Sequence, residues 1–204
     1  MKINKLISNL LESNTFVVEK DDEVLIIDCG CELEQVKAVV DGKKVVGVLL
    51  THGHFDHSVN CNQYAGYFNC KLYASEDIKA TLTDKIAIYS EDFSIIEDLS
   101  AFNWVENNEI LNIGRFKVKC YEFKGHSPCS MGYLIENNLF VGDFLFAKSF
   151  GRVDLKNGDK QDMIKSLEKI ENIDFNILYS GHGEESTKIE QLRNLNLYKR
   201  FLTR

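Results

Sequence analysis

Seven consecutive residues, Thr51-His52-Gly53-His54-Phe55-Asp56-His57, constrain this chain more than any other stretch. They follow directly on Val45-Val46-Gly47-Val48-Leu49-Leu50, a nearly continuous apolar run that reads as a strand covered on both faces. The fold therefore has to include a buried strand whose end presents three imidazoles and a carboxylate, and strand-end loops are where a rigid scaffold displays ligands. The chain has five histidines, and the two outside this stretch are His126 and His182. If both return to it, every histidine belongs to one site.

Around that strand the chain alternates β and α signals. Ile3 to Ser8, Thr15 to Val18 and Val24 to Ile27 read as strands, with Asp21-Asp22 turning between the last two. Asp28-Cys29-Gly30-Cys31 leads into a helix over 32–40, whose Leu33, Val36, Val39 and Val40 share a face before Asp41-Gly42 closes it. A helix is expected from about Ser58 to Ala65, a strand at Lys71 to Ala74 and a short helix near Glu76. Thr83 to Phe102 has no clean period and fits either a wall of a substrate channel or a connecting helix. Strand signals return at Ile110-Leu111, Phe116 to Phe123, Met131 to Ile135 and Leu139 to Val141, with Asn137-Asn138 as a hairpin turn. An amphipathic helix over 162–170, a strand over 175–179 and a helix over 187–202 complete the chain. There is no internal repeat or low-complexity tract, and 204 residues suit a single domain over 1–204.

Composition narrows the function classes. Hydrophobic residues at 44% and charged residues at 27% describe a globular chain, not a disordered one. A net charge of −7 without a dense Lys/Arg run is unsuited to non-specific nucleic-acid binding, which needs clustered cations. No secretory signal is visible, and no apolar run nears the roughly 18 residues of a membrane span. The expectation is a cytoplasmic protein with a small-molecule substrate, no nucleic-acid or membrane partner, and an oligomeric state that the sequence leaves open. The six cysteines do not form paired CxxC knuckles, so reduced packing thiols are expected rather than a structural zinc site.

Three further loops carry polar residues behind a glycine: Gly125-His126-Ser127-Pro128, Gly142-Asp143 after Leu139 to Val141, and Gly181-His182-Gly183 after Ile177 to Ser180. Imidazole and carboxylate together suit zinc and other first-row divalent ions. Taken singly, His126 or His182 fits a partly buried structural histidine, Asp143 fits a turn residue, and Asp56 fits a cap for the following helix. Taken jointly, five histidines and two aspartates falling at strand ends point to one metal site.

This set of motifs resembles the metallo-β-lactamase-fold hydrolases, and within them the glyoxalase II (hydroxyacylglutathione hydrolase) branch and its short single-domain relatives. The resemblance runs from Asp28-Cys29-Gly30 to Gly181-His182-Gly183, in the expected order. It implies an α+β fold, a four-layer αβ/βα sandwich with the metals at one edge. It also implies two divalent ions, zinc first with iron or manganese as alternatives. His52, His54 and His126 would hold one, Asp56, His57 and His182 the other, and Asp143 would bridge them. Asp28 would support the ligands from behind. The implied reaction is hydrolysis of a thioester or small ester by a metal-bridging hydroxide, with Asp56 also orienting the water or accepting its proton.

The chain departs from the pattern in places. Classical glyoxalase II enzymes carry an additional C-terminal helical region that binds glutathione, whereas about twenty residues follow His182 here, so glutathione is not a secure expectation. Ser149 to Leu155 resembles a stretch of the short relatives, where Arg152 and Asp154 are expected to pair, with substrate anchoring as the other reading. Cys129 stands where the family commonly has glycine, and Cys29 and Cys31 flank Gly30. These thiols are read either as packing residues or, for Cys129, as part of the pocket wall. The nearest rival is a persulfide dioxygenase, which uses one iron held by residues matching His52, His126 and Asp143.

Overall fold

The computed structural model describes residues 1–88 and 95–203. Two six-stranded sheets form. The first contains β1 (Lys2–Ile7), β2 (Asn14–Lys20), β3 (Glu23–Ile27), β4 (Lys44–Leu49), β5 (Leu72–Ala74) and β6 (Phe102–Trp104), side by side in chain order. The second contains β7 (Ile110–Ile113), β8 (Phe116–Glu122), β9 (Met131–Ile135), β10 (Asn138–Gly142), β11 (Ile177–Ser180) and β12 (Ser186–Thr187), again in chain order. Helices α1 (Leu33–Val40), α2 (Phe55–Ser58), α3 (Cys61–Phe68) and α4 (Ile78–Leu82) belong to the first half, and α5 (Lys160–Ile170) and α6 (Lys188–Leu202) to the second.

Side-chain alternation explains the layering. Along β3, Val24 and Ile26 face one way and Leu25 and Ile27 the other, and all four are fully buried. Val24 and Ile26 join Val36 and Val40 of α1 and Cys61 and Tyr64 of α3 in one core. Leu25 and Ile27 meet Phe116, Val118, Tyr133 and Phe140 of the opposite sheet in a second. A third lies beneath α5 and α6, where Met163, Leu167, Leu195 and Tyr198 cover Phe123, Leu139 and Leu178. The order is helix, sheet, sheet, helix: the expected α+β sandwich of the metallo-β-lactamase fold. Among the described residues, no helix is long and apolar enough to cross a membrane.

Several local expectations are corrected. The helix expected from Ser58 begins at Phe55 and breaks before Cys61, because Ser58 Oγ caps back onto the Gly53 and His54 carbonyls and Asn60 Nδ2 is drawn to the Cys31 carbonyl. Asp56 is thus inside a helical turn and not its cap. The hairpin turn is Glu136-Asn137, with Glu136 at φ 55°, since Asn138 already pairs with Ile135. β6 was not foreseen; it is three residues long and pairs parallel with β5. Of the stretch from Thr83 to Phe102, residues 89–94 lie outside the described residues. The described parts form turns and extended chain in place of the connecting helix, and Ile88 and Ile96 are buried in the first core.

The topology brings strand ends together. β3 runs parallel to β4, and β10 runs parallel to β11. In such pairs, ligands gather beyond the carboxyl ends of the strands. Backbone hydrogen bonds stitch these ends across the sandwich: Met131 N–H to the Thr51 carbonyl at 2.8 Å, and Asn14 N–H to the Gly181 carbonyl at 2.7 Å. The layered packing predicts that Ile26→Ala, which empties space between β3 and the helices, costs about 2–5 kcal/mol. Urea unfolding should show a lower midpoint at unchanged slope; a loss under about 1 kcal/mol would mean that this layer is not closely packed.

Candidate metal centre

All seven residues singled out in the sequence meet at this edge. His52, His54, Asp56 and His57 follow β4, His126 follows β8, Asp143 follows β10 and His182 follows β11. A register shift between Phe140 and Gly142 marks a bulge in the pairing of β10 with β11, a device that re-aims the chain at a sheet end. Two glycines make room for the cluster. Gly142 adopts φ 54°, and a Cβ there would strike the Thr51 side chain. A Cβ on Gly181 would meet Asp143 Oδ1 and sit 2.8 Å from His57 Cε1.

The donor atoms fall into three overlapping groups: His52, His54 and His126; Asp56, His57 and His182; and, joining them, His52, His57 and Asp143. In the second group, His57 Nε2 lies 3.3 Å from His182 Nε2 and 3.3 Å from Asp56 Oδ2, and His182 Nε2 lies 3.2 Å from Asp56 Oδ2. A tetrahedron with metal–nitrogen bonds of about 2.0–2.1 Å has edges of about 3.3–3.4 Å. In the first group, His54 Nδ1 and His126 Nε2 face each other at 3.0 Å. Asp143 reaches both sides, with Oδ1 3.4 Å from His57 Nε2 and Oδ2 3.4 Å from His182 and 3.7 Å from His126.

Hydrogen bonds behind the cluster fix which ring nitrogens face inward. Asp28 Oδ1 accepts from Thr51 N–H at 2.7 Å, while its Oδ2 accepts from Thr51 Oγ1 at 2.8 Å and from His57 Nδ1 at 2.9 Å. With its proton committed to Asp28, Thr51 Oγ1 must accept from His52 Nδ1, 3.1 Å away. His126 Nδ1 donates to the Arg152 carbonyl at 2.9 Å. His52, His57 and His126 are therefore all held by Nδ1 with Nε2 turned to the centre, the arrangement by which supporting groups orient metal-binding imidazoles. Asp28 was expected in this role. Thr51 and the Arg152 carbonyl were not: Thr51 stood in the motif without a role, and a backbone carbonyl leaves no side-chain signal.

Two buried atoms lack a hydrogen-bond partner here, His52 Nε2 and Asp143 Oδ1. Orphaned buried polar atoms are costly and call for an explanation. Both belong to the groups that could hold an ion, so this donor set fits divalent metals.

The charges divide sharply. Burial pushes His52 well below the usual imidazole value, lowers His54 to about 3 and lowers His126 as well. Burial also opposes a charge on His57 and His182, but the carboxylates override it. Asp56 and Asp143 hold His57 well above its usual value, and hydrogen bonds to Asp143 and Asp56 raise His182 to about 9. Burial alone would raise Asp56 and Asp143, yet His57 and His182 keep both below the usual carboxylate range.

The cysteines take no part in this centre. Cys29, Cys31 and Cys129 are buried in the core beneath the helices, and burial raises all three thiols. Cys129 Sγ lies 3.0 Å from Ser127 Oγ and 3.7 Å from Thr81 Oγ1, which supports the packing reading. Arg152 and Asp154 form the expected pair, with two contacts of 3.0 and 2.9 Å.

Beside the donor groups is a cavity of about 310 Å³ that His54, Asp56, His126, Asp143 and His182 share with Leu11, Phe55, Phe146, Arg152 and Leu155. Comparison with known proteins agrees with this geometry. Residues 9–182 match the family described as "Metallo-beta-lactamase superfamily". "Probable metallo-hydrolase YqgX" of Bacillus subtilis (strain 168) is 29% identical over 194 residues, 91% of this chain and 92% of the relative. "Hydroxyacylglutathione hydrolase GloC" of Haemophilus influenzae is 28% identical over 187 residues, 85% of this chain and 87% of the relative. The solved structure of "BLEG-1 B3 metallo-beta-lactamase" superposes with a TM-score of 0.84 at 28% identity over the whole of both chains. "TTHA1623 in a di-iron-bound form" superposes at 0.80 with 24% identity, over 93% of this chain and 97% of that one, a likeness of fold.

Asp28→Asn keeps a side chain that tolerates the φ of 62° at this position, but it turns an amide donor towards Thr51 or His57. Metal affinity measured by competition with a chromophoric chelator should fall about 10–100-fold with the fold retained; unaltered affinity would remove Asp28 from its supporting role. For chelator-stripped protein, His52, His54 and His126 refuse protons that the unfolded chain takes up, so stability is lost as pH falls from 6.5 towards 3. Asp56 and Asp143 deepen the acid loss at its lower end. The contribution of His57 and His182 is complete below 6.5 and is lost as pH rises, for His182 through about 9. Melting temperature should therefore peak near pH 6.5, and a steady rise from there to pH 9 would contradict these assignments.

Proposed function

The chain belongs to the metallo-beta-lactamase superfamily, and from that premise we propose that it is a dinuclear metal-dependent hydrolase of a thioester or related small ester. The family and its metallo-hydrolase relatives make a metal-dependent hydrolase the frame. The observation that carries the finer reading is the completeness of the donor set: seven side chains in two triads, with Asp143 between them. His52, His54 and His126 would hold one ion and Asp56, His57 and His182 the other, with Asp143 shared. When bound, two divalent ions supply Lewis acidity and lower the pKa of water from 15.7 towards about 7.

The chain's own residues do the rest. Asp28, Thr51 and the Arg152 carbonyl hold the imidazoles in one tautomer and one orientation. Asp56 lines the cavity with its carboxylate kept ionised, placed to orient a water or accept its proton. Leu11, Phe55, Phe146 and Leu155 line the same cavity with apolar surface, against which the flanks of the substrate would rest. In the net reaction a C–O bond forms at the acyl carbon and the C–S bond breaks. The sulfur leaves with the electron pair and takes up a proton. The donor set names no single metal, and zinc is the first choice for mixed imidazole and carboxylate ligands, with iron or manganese behind it. We assign the reaction to the cytoplasm.

Metal analysis of reconstituted protein should find close to two ions per chain, and a panel of acyl thioesters that includes S-lactoylglutathione should be hydrolysed. No bound metal after reconstitution with zinc, iron or manganese would overturn the proposal. A single iron per chain with oxygen consumption on glutathione persulfide would replace it with the dioxygenase reading. That reaction leaves His54, Asp56, His57 and His182 without a task, although all four gather here.

A further inference from the structure

The loop between β1 and β2 is held against the centre. Ser13 Oγ donates to the Asp56 carbonyl at 2.6 Å, Asn14 N–H donates to the Gly181 carbonyl at 2.7 Å, and Ser13 bridges to His182. Asn14 Nδ2 adds bonds of 3.0 Å to the Ser180 and Gly183 carbonyls. On its other side, Ser8 Oγ donates to the Gly30 carbonyl at 2.7 Å, and Ser8 N–H closes the loop onto Ser13 at 2.8 Å. At its tip, Leu11 and Glu12 stand at φ 52° and 56°, a left-handed backbone that non-glycine residues adopt at a cost. The strained pair presents Leu11, 66% exposed, at the cavity beside the metal centre. The anchored loop thus holds an apolar side chain at the cavity, where a bound substrate would cover it.

The rest of the wall agrees in chemistry. Phe55, Phe146 and Leu155 are apolar, and Arg152 is the one lysine or arginine among the described lining residues. Its guanidinium is matched by Asp154 through two contacts, so it offers no unbalanced charge. Glu12 adjoins Leu11, and Glu184 and Glu185 follow His182 with Lys5 as their shared cation. Outside the metal centre, the described charges beside the cavity form no cationic patch to steer in a substrate with several carboxylates.

Resting on the hydrolase reading above, we propose that the cavity selects acyl thioesters whose flanking groups are apolar and uncharged over thioesters of glutathione, and that Leu11 is the residue that sets this preference. Apolar surface on the substrate covers Leu11 and Phe146, while the two carboxylates of a glutathione moiety find no unpaired cation among the described lining residues.

The test holds the acyl group constant and varies the thiol. On the metal-reconstituted 204-residue chain, S-butanoyl-N-acetylcysteamine should show kcat/KM at least about tenfold above S-butanoylglutathione. Binding of the thioethers S-butyl-N-acetylcysteamine and S-butylglutathione, read by calorimetry, gives the same comparison without turnover. If neither thioester is hydrolysed but the neutral thioether binds better, the reaction assignment fails and the selectivity stands. Equal or tighter binding of S-butylglutathione overturns the selectivity. Leu11→Asn suits the left-handed backbone and removes only apolar surface. It should weaken the neutral ligand about three- to tenfold, with the loss carried by KM and with melting temperature and metal content retained. An intact preference for the neutral thiol in that variant would remove Leu11 from the role.

Discussion

A buried carboxylate joins this protein's sheet to its metal centre. Asp28 leaves β3 beside the end of β4, because the parallel register sets Ile27 against Leu49. From there, 2% exposed, it accepts from Thr51 N–H, Thr51 Oγ1 and His57 Nδ1. Those bonds turn His57 Nε2 towards Asp56, Asp143 and His182, and they oblige Thr51 to orient His52. A displacement of β3 relative to β4 would break all of them together. The fold's own strand pairing is therefore what places the imidazoles, and each donor atom inherits its position from backbone hydrogen bonds.

The same economy governs charge. A cluster of seven titratable groups at a buried edge is costly to desolvate. Burial disfavours a proton on His52, His54 and His126, while Asp56 and Asp143 favour one on His57 and His182. Divalent ions held by these donors would compete with those protons, which would couple metal binding to proton release. The two atoms without a hydrogen-bond partner, His52 Nε2 and Asp143 Oδ1, belong to the same donor groups.

Much of this was legible from residue types and spacing. Apolar runs located the central strands, and three glycine-led loops after apolar strands located His126, Asp143 and His182. What escaped was decided by particular side-chain contacts, most of them between residues distant in sequence. The helix after the motif breaks early because Ser58 and Asn60 are drawn to the His54 and Cys31 carbonyls. Cys129, adjacent to the motif in the family pattern, is held in the core by Ser127 and Thr81. The Arg152 carbonyl that fixes His126 has no signature at all, since every residue carries one. The anchoring of the β1–β2 loop by Ser13 and Asn14 likewise joins residues that nothing local connects.

Sequence alone thus named the seven side chains that gather at this edge and their suitability for divalent metals, because imidazoles and carboxylates at the ends of apolar strands have few other uses in such concentration. Tertiary structure decided which nitrogen of each ring faces inward, how charge is shared among the groups, and what surface stands beside them. Those properties depend on distances between loops that only strand pairing and cross-sheet hydrogen bonds can set. The dense stretch from Thr51 to His57 pointed to a metal site; Asp28, Asp143 and the loop bearing Leu11 give that candidate site orientation, charge balance and a wall.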